Sequence, residues 1–163
     1  RDSQFVLLAD ALQFCGALET LAVIGTMPSH EGIKALAVAL PQCTNLKMLR
    51  LVTCGITSEG LAELARVLPQ LSSGWALSLQ SNPLGDDGAR ALVPVLQQCP
   101  NFRFLNMRRC RMTDEGLGAF TAGIPLTGLR ALELDGNTFS DDAQGKMKQA
   151  WGAAGRDLGR LVL

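Results

Sequence analysis

Apolar residues return along this chain in a fixed order. A short alternating run of the form L-x-x-L-x-L leads into a polar turn, and then into a stretch with apolar residues at helical spacing. With the first position of the run as anchor, the anchors are Leu18, Leu46, Gly74, Phe102, Leu129 and Leu158, spaced 28, 28, 28, 27 and 29 residues apart. The alternating centres are Leu21-Ala22-Val23, Leu49-Arg50-Leu51, Leu77-Ser78-Leu79, Leu105-Asn106-Met107, Leu132-Glu133-Leu134 and Leu161-Val162-Leu163. They predict six short strands, each with one buried face.

Eight residues past five of these anchors stand Thr26, Cys54, Asn82, Cys110 and Asn137, small polar groups or thiols suited to satisfying a turn from inside. Helix starts follow at Ser29-His30-Glu31, Thr57-Ser58-Glu59, Gly85-Asp86-Asp87, Thr113-Asp114-Glu115 and Ser140-Asp141-Asp142. In four of the five a hydroxyl is placed to cap, and first-turn acids favour the helix dipole. Gly32, Gly60, Gly88, Gly116 and Ala143 come next, which predicts close packing at one fixed place. Pro41, Pro69 and Pro125 share an offset that ends a helix, whereas Pro94 falls inside one and is expected to kink or shorten it. Residues 4–14 align with these helices, so the chain opens half-way through a unit.

One strand and one helix cannot bury their own apolar faces, so the units must stack. Strands lie about 4.8 Å apart and packed helices about 8–10 Å, and the mismatch bends the stack with the strands inside. The expected architecture is a right-handed α/β horseshoe arc with a parallel sheet on the concave side and helices on the convex side. It forms a single domain over residues 1–163, of about five to six repeats, and is expected to be a fragment of a longer array. Gly74 has no side chain at its anchor, so the third unit is the expected weak seam unless Trp75 or Leu71 fills the gap.

Composition narrows the chemistry. Hydrophobic residues are 47% and charged residues 18%, a globular balance, and 15 Lys and Arg against 15 Asp and Glu remove any general attraction to nucleic acid or anionic membrane. Five cysteines without a Cys-x-x-Cys pair, and one histidine, point to free thiols in a reducing, cytoplasmic compartment, with no metal and no cofactor. No apolar run is long enough to span a membrane. Ser29-His30-Glu31 holds the residue types of a catalytic relay, but consecutive side chains at a helix start diverge, so capping is the expected role and no enzymatic activity is expected.

The stretches 46–70, 75–101 and 102–117 resemble the ribonuclease-inhibitor-like class of leucine-rich repeats, including the alternation Cys54, Asn82, Cys110, Asn137. The end of the chain, 146–163, is similar to the closing unit of some NOD-like receptors. The resemblance implies a leucine-rich-repeat solenoid and a non-enzymatic protein-interaction or ligand-sensing module, of the kind found in innate-immune receptors. Ribonuclease inhibitors of this class present tryptophans and acids on the concave face, and GTPase-activating proteins for Ran carry an acidic tail. Here the outward strand positions carry no tryptophan, only one unit is acidic, and there is no acidic tail.

Residues two, four and six past each anchor should face the concave surface. An apolar centre with arginine and a polar rim favours binding, and the candidate partner-binding set is Met48, Arg50, Ser78, Gln80, Phe104, Asn106, Arg108, Glu133 and Asp135. Arg103, Arg108, Arg109 and Arg111 form a second candidate, a basic cluster for nucleic acid or a phosphorylated ligand. Against it, Asp135 stands one strand from Arg108 and is expected to pair with it. A third reading is a structural or dimerisation segment.

Overall fold

The computed structural model describes residues 2–71 and 75–163. Each alternating run forms a strand that pairs in parallel with its sequence neighbours. The strands are β1 (Thr20–Ile24), β2 (Met48–Val52), β3 (Trp75–Ser78), β4 (Phe102–Asn106), β5 (Ala131–Glu133) and β6 (Leu161–Val162), in one sheet in chain order. The intervening helices are α1 (Asp2–Leu12), α2 (His30–Ala39), α3 (Ser58–Val67), α4 (Gly85–Gln97), α5 (Asp114–Gly123) and α6 (Asp141–Ala153). Between sheet and helices runs one continuous core. Leu49, Leu51, Leu77, Leu105 and Leu132 from the strands, with Leu79 just after β3, meet Leu36, Leu64, Leu92 and Phe120 from the helices, all without solvent exposure. Each such leucine contributes roughly 1.5–3 kcal/mol.

Hydroxyls cap the starts of α2, α5 and α6, whereas α4 follows Leu84 and has no side-chain cap. Ser29 Oγ accepts from Gly32 N at 3.3 Å, Thr113 Oγ1 from Glu115 N at 3.4 Å and Ser140 Oγ from Ala143 N at 3.2 Å. Thr57 makes no such bond. Pro41, Pro69 and Pro125 each sit in a single tighter helical turn that prolongs α2, α3 and α5. Proline suits the start of such a turn, where its missing N–H would have had no partner. Pro94 does not shorten its helix as expected: α4 runs unbroken through 13 residues. Pro94 lies exposed on its outer side, where water can satisfy the carbonyl that loses its donor.

The turn after each strand is closed from inside, and asparagine and cysteine do this differently. Buried Asn82 accepts from Cys54 N at 2.9 Å and Ile56 N at 3.0 Å, and donates to Leu51 O at 2.7 Å and Leu79 O at 2.8 Å. Asn137 repeats the pattern on Cys110 N, Met112 N and Met107 O. The thiol of Cys110 donates to carbonyls, Leu79 O at 3.2 Å and Arg108 O at 3.5 Å. Burial pushes that thiol up to about 11. All five cysteines are free.

Gly74, the anchor without a side chain, lies outside the described residues. Trp75 beside it is buried and stacks on Phe102, with ring centroids 6.3 Å apart. The pairing shifts by one residue there, from Trp75 opposite Phe102 to Ala76 opposite Phe104. The tryptophan thus fills the core at the third seam. Among the described residues no helix is long and apolar enough to cross a membrane.

Candidate functional site

Parallel pairing, in register from Ala76 and Phe104 onward, turns the outward residues into three rows across the sheet. Met48, Ala76, Phe104 and Ala131 align in the first row, and Arg50, Ser78, Asn106 and Glu133 in the second. Val52, Gln80, Arg108 and Asp135 follow at the strand exits, joined by backbone bonds from Thr53 to Gln80, Ser81 to Arg108 and Arg109 to Asp135. All nine candidate contact residues therefore share one face, on neighbouring strands about 4.8 Å apart.

They are not equally available. Arg50 is exposed and takes part in no ion pair among the described residues. Met48, Gln80 and Phe104 are half-buried, so their outer surfaces can be touched. Ser78 and Asn106 are buried in the floor of the face. Asn106 Nδ2 donates to Glu133 Oε2 at 2.9 Å, and its Oδ1 accepts from Arg108 N at 3.0 Å. This amide positions its neighbours and has little left to offer a ligand.

Arg108 is engaged as the sequence led one to expect. Its Nη2 donates to Asp135 Oδ2 at 2.7 Å, Nε lies 2.6 Å from Oδ1, and Glu133 is 3.7 Å away. The hydrogen bond to Asp135, and then that carboxylate's charge, hold the Arg108 guanidinium above its ordinary range. Its positive charge is therefore largely answered within the protein.

The four arginines of the basic cluster do not come together. Arg103 enters β4 at the opposite end of the strand from Arg109, about 20 Å away at 3.3 Å per residue. There its Nη1 donates to Pro100 O at 2.5 Å and Gly128 O at 3.0 Å. Arg109 and Arg111 are exposed turn residues in left-handed backbone, with φ of 53° and 62°. Arg103 instead shares a cleft of about 820 Å³ with Arg130, Arg156 and Arg160. The outward positions of the first five repeats, which define the candidate face, do not include these three. The signal was that Arg103 and Arg130 each directly follow an anchor, and Arg160 stands two past one.

A family model described as Leucine Rich repeat matches residues 42–65, 76–93 and 98–120. The structure titled leiomodin-1 Actin-Binding Site 2 superimposes with a TM-score of 0.70 at 15% identity, over 90% of this chain and 86% of that one. This chain folds as a leucine-rich-repeat solenoid. The tropomodulin C-terminal domain of Caenorhabditis elegans matches with a TM-score of 0.67 at 18% identity, over 91% of this chain and 92% of that one. At such identities the likeness to leiomodin and tropomodulin carries the fold alone. No curated protein sequence matches the chain. Among the described residues no group of three or more His, Cys, Asp or Glu is placed to hold a metal ion.

Proposed function

We propose that this leucine-rich-repeat module binds a protein partner through its concave face, centred on Met48, Arg50 and Phe104. The observation that carries the reading is the register: Met48, Ala76 and Phe104 form an apolar row directly beside an exposed arginine without an ion-pair partner among the described residues. A hydrogen-bonded sheet holds these side chains in place before binding, so little ordering entropy is lost on association. Gln80, Glu133 and Asp135 supply the polar rim, with Arg108 fixed against the acids. Ser78 and Asn106 contribute by orienting the rim from below. The leiomodin-1 structure of the same fold is titled as an actin-binding site, which supports a protein as the class of ligand. On the resemblance of its repeats to those of NOD-like receptors, we read the module as a cytoplasmic ligand-sensing array without enzymatic activity.

Cross-linking to the immobilised chain identifies the partner, and the double substitution Phe104→Ala with Arg50→Glu then tests the face. Capture of that partner should fall by at least about tenfold. Undiminished capture by the folded variant would remove the concave face from the binding site. Co-sedimentation with filamentous actin separates an actin ligand from other proteins.

A further inference from the structure

The cleft at the strand-entry edge gathers charge that the rest of the molecule balances. Arg103, Arg130, Arg156 and Arg160 line it, against one acidic side chain, Asp157. The chain as a whole carries 15 positive and 15 negative side chains, so four against one is a local concentration. None of the four arginines takes part in an ion pair among the described residues.

What holds Arg103 and Arg156 there is neutral. Arg103 is fixed by the carbonyls of Pro100 and Gly128. A side chain at Gly128 would bring a Cβ to 2.4 Å from Pro100 O, so glycine is what lets this crossing form. Arg156 Nη2 donates to Thr127 O at 2.7 Å, and its guanidinium lies over Trp151, 5.1 Å from the ring centroid. Its Nη1 is buried with no acceptor among the described residues, and burial pulls the guanidinium's pKa down. Arg130 and Arg160 are exposed. Carbonyl bonds and ring stacking thus gather guanidinium groups without neutralising them, and the field they leave favours anions.

The wall supplies shape as well. Phe104 and Ala131, members of the apolar row on the concave face, also line this cleft, so cleft and face are continuous. The arginines come from three successive repeats, a spread of about 10 Å at sheet spacing. That suits an extended chain with several carboxylates better than one compact anion. Arginine forks match carboxylates in two-point contact.

We infer that the cleft lined by Arg103, Arg130, Arg156 and Arg160 receives an acidic peptide segment of the protein partner, its carboxylates on the arginines and an apolar side chain against Phe104. This rests on the concave-face reading and gives the partner's chemistry. Arg130 and Arg160 make the first, reversible contacts, and Arg103 and Arg156 form the preset floor.

A fluorescein-labelled Glu-Phe-Glu-Glu-Phe-Glu peptide, titrated by anisotropy, provides the test. Binding should weaken by about tenfold or more in the double variant Arg130→Glu, Arg160→Glu. These two side chains are exposed, so its melting curve should match that of the parent. Arg111→Glu, at the opposite sheet edge, should leave binding unchanged, and a Lys-Phe-Lys-Lys-Phe-Lys peptide should not bind. No binding of the acidic peptide, or equal binding by the double variant, overturns the inference. So does displacement by inorganic phosphate, or by single-stranded DNA, at lower concentration than unlabelled peptide. Should capture of the cross-linked partner survive Arg130→Glu, Arg160→Glu but be lost on Phe104→Ala, Arg50→Glu, the cleft fails and the concave face stands. Loss in neither removes both.

Discussion

The Asp86 carboxylate, in the first turn of α4, accepts the amide of Gly116 in α5 at 2.9 Å. The same oxygen takes Thr113 N at 2.7 Å, and its partner oxygen takes the Thr113 hydroxyl at 2.7 Å. One repeat later Asp114 treats Ser140 alike, with N at 2.8 Å and Oγ at 2.6 Å. An acid at the start of one helix therefore caps the next helix, and the solenoid is stitched along its turn side as well as through its leucines. Gly116 is required by this contact, since a Cβ there would lie 2.5 Å from Asp86 Oδ1. Gly116→Ala should displace the carboxylate and cost about as much as a lost helix cap, about 1–2 kcal/mol by urea unfolding. In an Asp86→Ala background the cost should shrink to what the 3.2 Å approach of that Cβ to the Cα of residue 86 leaves.

The same contact sets a pH dependence. Burial raises the Asp86 carboxyl, but the Thr113 and Gly116 hydrogen bonds and the Arg90 charge outweigh it and hold the group below its ordinary value. For Asp114, hydrogen bonds from the Ser140 hydroxyl and amide act in the same direction. A lowered carboxyl contributes stability that is fully present above the unfolded value, about 3.9, and is lost as pH falls through the folded one. The stability gap between parent and Asp86→Ala should be constant from neutral pH down to about pH 5 and close progressively below about pH 3.9. Urea melts of both proteins across that window measure it, and a gap that widens in acid would contradict the assignment.

The period of 27 to 29 residues showed strand, turn and helix because burial of one strand face and one helix face leaves a direct mark on residue type. Ion pairing of Arg108 with Asp135 was legible too, since in-register parallel strands bring equal offsets together. What stayed hidden were contacts made by side chains whose type admits two jobs. Asp86 and Asp114 fit the dipole of their own helix, and only the tilt between successive units shows that they reach the next one. Asn106 looks like a surface residue by its offset, but Glu133 and Arg108 close over it. Arg156 lies outside the strand pattern, and its place depends on how the chain turns after α6.

Asn82 is the most heavily used polar side chain of the interior. Removing it leaves two amides and two carbonyls of the turns without partners, so Asn82→Ala should cost about 3 kcal/mol or more. Asn82→Cys should cost less, because Cys54 and Cys110 hold the equivalent place in neighbouring repeats with thiol-to-carbonyl contacts. Equilibrium unfolding of the two variants orders them. Equal losses would show that the amide acceptor, rather than the donor, carries the turn.

Thiol chemistry should follow burial. Cys43, Cys54, Cys99 and Cys110 are buried, whereas Cys15 is half-buried near the end of the helical layer. At pH 8 a thiol with a pKa of about 11 is thiolate in only about one molecule per thousand. Iodoacetamide on the native protein should label Cys15 first and leave Cys110 unmodified until the chain unfolds, as read by peptide mass spectrometry. Early labelling of Cys110 would show that the turn beneath Arg108 opens.

Seven residues past five of the six anchors the backbone is left-handed, and the repeats fill that place unequally. Gly25 and Gly136 occupy it at φ of 70° and 75°, but Thr53, Ser81 and Arg109 occupy it at 54°, 59° and 53°. A β-branched residue is the worst fitted, because its Cβ crowds the following carbonyl, at a cost of roughly 1–2 kcal/mol. Thr53 is exposed, and its amide bond to Gln80 O at 3.0 Å would persist in glycine. Thr53→Gly relieves that strain, while the freer unfolded chain takes back up to about 1 kcal/mol. The variant should therefore be as stable as the parent or more stable by about 1 kcal/mol. Thr53→Ala, which keeps a Cβ, should gain nothing comparable. Arg109→Gly should gain less than Thr53→Gly, because the Arg109 stem covers Gly136, where a Cβ would lie 2.6 Å from its Cγ. Melting temperatures of the three variants decide the matter: an Ala variant as stable as the Gly variant would mean that Thr53 is not strained by its backbone.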